Sequence, residues 1–440
     1  MQIIYSLSLT IVFIALLPYF AYQFLVNDKY LSNLRERLGL LPDSLKSDGR
    51  STIWLHAVSV GEALTAHSLV KALHVRFPGH RLIISTTTAT GQAVARAKMT
   101  EAGGFCYFPF DWKFSVRRAL NTIDPQIVIL MESELWLNCL SECRKRKIPV
   151  VVANGRISDR SFARSQKFGL FVRRLYNLVT RFEMQSRVDA VRAVKLGAPA
   201  ERVNVSGNIK YDVGKAGESP KTTETANFLD KIFALSSTPL IIAGSTSDGE
   251  EEIILSVFQR LRNATGLEKT RLLIAPRHPE RFDEVAHLLD SSRLKYARRS
   301  TSDLPNEDTR SVDAILLDSI GELAALYQFA SVVFVGGSLV MKGGHNILEP
   351  ALFSKPIVVG PHMENFREIT NEFLRRDALI QLQQANRQEL GDELKVALVE
   401  LLNDRERAEE LGENARRTVE ENRGATARTI EAVAGLIESI

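Results

Sequence analysis

Cysteine is scarce in this chain: Cys106, Cys139 and Cys143 are the three in 440 residues. No CxxC pair exists, and no His or further Cys stands beside Cys139 and Cys143. This pattern excludes a disulfide framework and a zinc ribbon, and predicts free thiols in a reducing compartment. A strong net charge is missing too: 56 Lys+Arg against 52 Asp+Glu give +4. So even a balance points to no class of partner, and local patches carry the reading instead. Neither DxD, HExxH nor a Walker lysine loop occurs. Their absence removes the usual metal–diphosphate clamp, the zinc-protease helix and the P-loop.

Charge is absent altogether from Ile3 to Val26. As a helix this run would span roughly 36 Å, enough to cross a hydrocarbon core with some tilt. Tyr5, Tyr19 and Tyr22 suit the interfaces, and a Pro18 kink is tolerable in a membrane helix. No Lys or Arg precedes the run, which argues against a cleaved signal peptide. Lys29, Arg35 and Arg37 follow it, so the positive-inside rule keeps the rest of the chain cytoplasmic. The expectation is a single N-terminal anchor; a monotopic helix lying in one leaflet is the alternative.

What is present is alternation. The length predicts two or three domains. From residue 51, apolar runs such as "STIWLHA", "RLIIST", "QIVILME" and "IPVVVANG" alternate with helical segments. Continuous apolar runs between helices predict a parallel sheet covered on both faces. Residues 212–236 turn polar and threonine-rich, and then a second series begins: "PLIIAGS", "RLLIAPRH", "AILLDS", "SVVFVGGS", "PIVVG". The predicted organisation is an anchor at 1–27, an N-terminal Rossmann-like domain at 28–212, a linker at 213–236, a C-terminal Rossmann-like domain at 237–420 and a final helix at 421–440. Ligands of such sheets bind outside the carboxyl ends of the strands, so the loops there matter most.

In the first half those loops carry Glu62 of "WLHAVSVGEAL", Glu132 and Glu134 of "MESELW", and Lys210 of "NIKYD". Glu62 sits after Gly61 at a loop–helix junction, where an acid suits the first turn as a cap. Each of these residues also reads as a solvated charge; their shared position at strand ends puts a functional reading level with that one. In the second half, Ser247 and Glu250 of "GSTSDGEEE" fit a capping box, and the hydroxyls there also suit an anionic ligand. Arg277 of "APRHPERF" stands at a strand end, where its fork can grip phosphate. "LLDSIGEL" offers a turn at Ser319–Gly321, and "GGSLVMKGGHNILEPALF" two glycine pairs that let backbone approach a ligand. There Asn346 fits an N-cap, with Glu349 on the same helical face; the pair serves either as a cap or as a grip on ribose hydroxyls.

From Arg156 to Arg187 there are eight Lys or Arg against two acids, interleaved with Phe162, Phe168, Leu170, Phe171 and Leu175. The bland reading is an amphipathic basic face. No nucleic-acid-binding pattern is present, and an anionic lipid surface suits an anchored chain better.

Taken together, "HAVSVGE", "MESELW", "ANGRIS", "GNIKYD", "GSTSDGEE", "PRHPERF" and "GGSLVMKGGHNILEPA" resemble the Kdo (3-deoxy-D-manno-octulosonic acid) transferases of Gram-negative lipopolysaccharide synthesis. The motifs occur in family order over nearly the whole chain; Leu137 stands where a proline is common. The resemblance implies an α/β GT-B fold: two Rossmann-like domains with parallel sheets facing a cleft, plus the membrane anchor. It implies an inverting transfer of Kdo from CMP-Kdo to a tetraacyl lipid A precursor at the inner membrane, with no metal or other cofactor. Glu62 would be the proton acceptor, and Glu132 and Lys210 would stabilise the transition state. Pro276, Arg277, Ile320, Gly321, Glu322, Asn346, Ile347, Leu348 and Glu349 would bind CMP. Gly61, Arg156, Arg173 and Arg174 are candidates for the anionic acceptor, and no nucleic acid is expected. The rival readings are another GT-B glycosyltransferase or an epimerase acting on a UDP-sugar, and a non-catalytic membrane-anchored adaptor.

Overall fold

The computed structural model describes residues 4–15, 33–212, 214, 220–233, 238–301, 312–383 and 386–439. Two compact units divide the chain: Met1–Asp212 with Asn422–Ile440, and Val213–Glu421.

The first unit holds β1 (Thr52–His56), β2 (Arg81–Thr86), β3 (Gly104–Tyr107), β4 (Pro125–Met131), β5 (Val150–Gly155), β6 (Arg181–Met184) and β7 (Val203–Val205). They form one parallel sheet in the order β3-β2-β1-β4-β5-β6-β7. Alternate residues of a strand point to opposite faces. Here both faces meet apolar helices: Val128 and Leu130 enter one core, Ile127, Ile129 and Met131 the other. That is why β4 reads as an unbroken apolar run. The second core is completed by Ala425, Ile430, Val433 and Ala434 of the last helix, Ala425–Glu438. Asp212 fixes the start of this helix, because its carboxylate accepts the N–H groups of Gly424 at 2.6 Å and Thr426 at 2.5 Å.

The second unit holds β8 (Leu240–Thr246), β9 (Arg271–Pro276), β10 (Tyr296–Arg298), β11 (Ala314–Leu316), β12 (Val332–Val335), β13 (Ile357–Val359) and β14 (Ile380–Gln381). Its sheet is parallel as well, in the order β10-β11-β9-β8-β12-β13-β14. In each unit the strand order reverses beside the first strand, between β1 and β4 and between β8 and β12. The crevice of such a switch point is where loops diverge and leave room for a ligand.

Residues 4–15 form a helix that packs on the first unit. Trp112 Nε1 donates to Thr10 Oγ1 at 3.1 Å, Asn138 Nδ2 donates to Ser6 Oγ at 3.1 Å, and the Phe13 ring meets Trp112 edge-on. Ile4, Leu7, Ile11, Val12 and Ile14 stay exposed. Among the described residues no helix is long and apolar enough to cross a membrane. The rest of the expected anchor, with Pro18, Tyr19 and Tyr22, lies outside the described residues. All three cysteines are free and buried.

Candidate active site

The first unit gathers its acids where β1 and β4 part. Helix Val60–Arg76 follows β1, and Ser59 is its N-cap. Val58 N–H donates to Glu62 Oε2 at 2.8 Å, while the Ser59 hydroxyl lies 3.4 Å from both Oε1 and the Glu62 amide. Glu62 thus caps the helix start in the manner of a capping box, with the Val58 N–H taken in place of that of the N-cap Ser59. These contacts use two of the carboxylate's roughly four acceptor positions, leaving others for a ligand. The helix dipole alone predicts an ionised, ordinary carboxyl. Instead burial pushes Glu62 up to about 7, and the neighbouring Glu132 and Glu134 add to the rise against the Val58 and Ser59 bonds. Desolvation and like charge outweigh the dipole here.

Glu132 follows β4 with φ 57°, a left-handed backbone that a non-glycine residue adopts at a cost. Its amide is held by the Ala153 carbonyl at 2.9 Å. Burial raises its carboxyl, and Lys210 and Arg156 pull it back. Glu134 is raised by burial and then by Glu132. The Lys210 ammonium is lowered by burial and sustained by Glu132. Asn154, buried at the end of β5 with φ 55°, accepts the Ile209 N–H through Oδ1 at 2.9 Å, and so sets the segment that carries Lys210. Glu62, Glu132, Glu134, Arg156 and Lys210 therefore form one electrostatic group. Glu134 was singled out beside Glu132 at a strand end but given no role of its own, and Asn154 was not singled out. Nothing in "ANGRIS" separates Asn154 from its neighbours by pattern or spacing.

The second unit gathers its candidates after β8, β9 and β12. Pro276 ends β9 and Arg277 follows, exposed, its amide held by Thr246 O at 2.9 Å. Among the described residues the Arg277 guanidinium has no hydrogen-bond or ion-pair partner. It lies close enough to Glu349 to pull that carboxyl down against burial, and it lowers His345, which burial brings to about 4. Asn346 Nδ2 donates to Glu349 Oε1 at 3.0 Å, and Asn346 Oδ1 accepts the Leu348 N–H at 3.1 Å. A fixed carboxylate–amide pair beside a free guanidinium suits a ligand that combines hydroxyls with an anion. Ile347 and Leu348 are buried behind that pair.

The remaining candidates fall in different places. Ile320 and Gly321 sit on the loop after β11; Ile320 is 69% exposed and Gly321 has φ 90°. The Glu322 side chain turns inward, 3.4 Å from Arg299, so its carboxylate is not offered to a ligand. Gly61 is exposed on the first turn of its helix. Arg173 and Arg174 lie on helix Gly169–Asn177, and Arg173 packs on Gly197, beyond the far end of the helix Arg187–Lys195 that follows β6. That is the amino-end edge of the sheet, opposite Glu62. Among the described residues no group of three or more His, Cys, Asp or Glu side chains is set to hold a metal ion.

The family described as 3-deoxy-D-manno-octulosonic-acid transferase (kdotransferase) matches residues 32–213. The 3-deoxy-D-manno-octulosonic acid transferase of Haemophilus influenzae is 36% identical over 410 residues, 93% of this chain and 92% of its own. A crystal structure of the C-terminal CMP-Kdo binding domain of WaaA from Acinetobacter baumannii is 34% identical, covering 46% of this chain and 99% of its own with a TM-score of 0.40. A glycosyltransferase structure from Rickettsia africae covers 89% of this chain and 100% of its own at TM-score 0.56 and 13% identity, a likeness of fold. The chain belongs to the Kdo transferase family and is a glycosyltransferase.

Proposed function

We propose that this member of the Kdo transferase family moves Kdo from CMP-Kdo to a tetraacyl lipid A precursor at the cytoplasmic face of the inner membrane, with Glu62 as general base. The observation that carries the proposal is the Glu62 carboxyl at the first switch point, brought to about 7 by burial and by Glu132 and Glu134. A base works best when its proton affinity lies near the working pH. An acceptor hydroxyl would give its proton to Glu62 as its oxygen attacks the anomeric carbon of Kdo. The bond from that carbon to the CMP phosphate oxygen would break, the leaving phosphate would take the electron pair, and the configuration would invert.

Charge grows on the phosphate as CMP departs, and fixed cations stabilise it. Arg277 is our candidate in the second unit, with Asn346 and Glu349 for the nucleoside hydroxyls. Lys210 and Glu132 would steady the sugar carboxylate and the reacting centre. Such cations do the work of a metal clamp, in line with a sequence that has no DxD. For the membrane face, support comes from the exposed side of the helix at 4–15 and from Phe168 and Leu170, 62% and 88% exposed, beside the basic run from Arg156 to Arg187.

The experiment is incubation of the full chain with CMP-Kdo and tetraacyl lipid A precursor, with products weighed by mass spectrometry. The expected product is the precursor carrying Kdo, together with free CMP. An unchanged precursor alongside turnover of a UDP-sugar would replace this reading with the epimerase-like one.

A further inference from the structure

The second unit contains a feature that its glycine-rich sequence conceals. The Gly337, Ser338 and Leu339 amides point consecutively into one concavity, the arrangement that commonly cradles a phosphate. Here the concavity is already filled. Glu250, fully buried, accepts from Gly337 N–H at 2.7 Å, Ser338 N–H at 2.9 Å and Leu339 N–H at 2.8 Å. Its Oε2 also takes the Ser247 N–H at 2.8 Å. Among the described residues its partners are all donors, which suits the acceptor-only form of a carboxylate. Burial pushes the Glu250 carboxyl up, and the four amides pull it back.

Everything around this turn hangs on it. Gly337 O accepts the Gly344 N–H at 2.8 Å, which fixes the start of the segment carrying Asn346 and Glu349. Ser338 Oγ accepts the Gly360 N–H at 2.8 Å, and Ser338 O accepts the His362 N–H at 3.0 Å. A Cβ on Gly336 would stand 2.4 Å from Ser245 O, so the turn lies flush against the end of β8. The adjacent Glu251, also fully buried, accepts from Thr246 Oγ1 at 2.9 Å and from Arg281 Nη1 at 2.6 Å, four residues beyond Arg277. Two neighbouring carboxylates thus hold two of the loops that carry donor-site candidates.

We infer that Glu250 is a positioning residue for the nucleotide-sugar donor: its carboxylate occupies the amide turn at Gly337–Leu339 from within, so the donor phosphate binds outside that turn and Glu250 sets where Asn346, Glu349 and Arg277 stand. This rests on the reading that the second unit takes the CMP donor. The amide nest is spent on structure, and the anion falls to the Arg277 side.

Hydrogen exchange on the wild-type chain, with and without CMP, tests this. The Gly337–Leu339 amides are expected to exchange slowly before CMP is added and no more slowly after it, while residues 277–278 and 343–349 become protected. Fast exchange that slows on CMP addition would put the phosphate on those amides and overturn the inference. In parallel, Glu250→Gln turns an amide NH2 toward backbone donors and loses charge-assisted bonds. CMP affinity should fall by about tenfold or more, with the KM for CMP-Kdo rising in step and kcat at saturating donor kept within about threefold. The control Glu252→Gln, on the exposed side of the same helix, should bind like wild type. Equal CMP affinity in the Glu250 variant would overturn the role of Glu250 alone. A wild-type chain that binds no CMP would overturn the donor reading, and the positioning role with it. Should the Gln variant not fold, the wild-type exchange pattern decides by itself.

Discussion

Glu62 caps its own helix and stands among acids, and these two facts act on the protein in opposite directions. Its ordinary value is 4.5 and its folded value about 7. Between those limits the folded state keeps a proton that the unfolded state has released, so stability falls as pH rises through that window and the full cost is present above about 7. Glu62→Gln keeps an acceptor for the Val58 N–H and removes the charge. It should stabilise the first unit by on the order of 2 kcal/mol at pH 8 and leave it unchanged at pH 4, as read from its melting transition. A variant less stable than wild type at pH 8 would mean that the capping contacts outweigh the desolvation. Activity should run the other way with pH. A general base must be deprotonated, so kcat/KM should climb about tenfold per pH unit up to about 7 and level off above it. A profile flat from pH 5 upward would assign the proton elsewhere. The sequence placed this carboxylate at a helix start beside a strand end. It did not disclose the upward shift, because the burial that drives it, and the approach of Glu132 and Glu134 that adds to it, arise only when the fold pairs β1 with β4.

At the scale of elements, the long central strands were plain in the apolar runs, since a strand buried on both faces can hold little that is polar. The edge strands β10 and β14, three and two residues long, carry no such run and escaped notice. The final helix read at 421–440 appears as Ala425–Glu438. Where it packs was not legible, because the apolar core it completes and the carboxylate that caps it, 212 positions before Gly424, come from distant parts of the chain. Asp212→Ala removes both amide bonds at that helix start, and should destabilise the first unit by about 1–2 kcal/mol in urea titration, with CMP affinity unchanged. No loss of stability would show the helix to be held by its apolar face alone. The glycine-rich loop teaches a related lesson. "GGSLVMKGG" announces a backbone turn, but its amides are already taken by Glu250, which folding brings from 87 residues earlier.

For the whole molecule, the proposal divides the labour: a proton acceptor in the first unit, a nucleotide site in the second, and a lipid-facing surface on the first. Leu170 is exposed beside Phe171, whose ring lies 5.8 Å from Tyr5 of the helix at 4–15, so these apolar groups form one neighbourhood. The chain should co-sediment with vesicles containing phosphatidylglycerol, less so in high salt. Replacing Phe168 and Leu170 together by Ser should cut the bound fraction severalfold while CMP affinity stays the same. Unchanged sedimentation would remove that surface from the membrane. The family itself was legible because its motifs cluster at strand ends in both halves. The most direct test of the division is a paired measurement on Glu62→Gln: isothermal titration with CMP, and Kdo transfer from CMP-Kdo to lipid A precursor. We predict CMP affinity equal to wild type with transfer lost by at least about a thousandfold. Transfer within a few fold of wild type would contradict the account, whatever the CMP affinity.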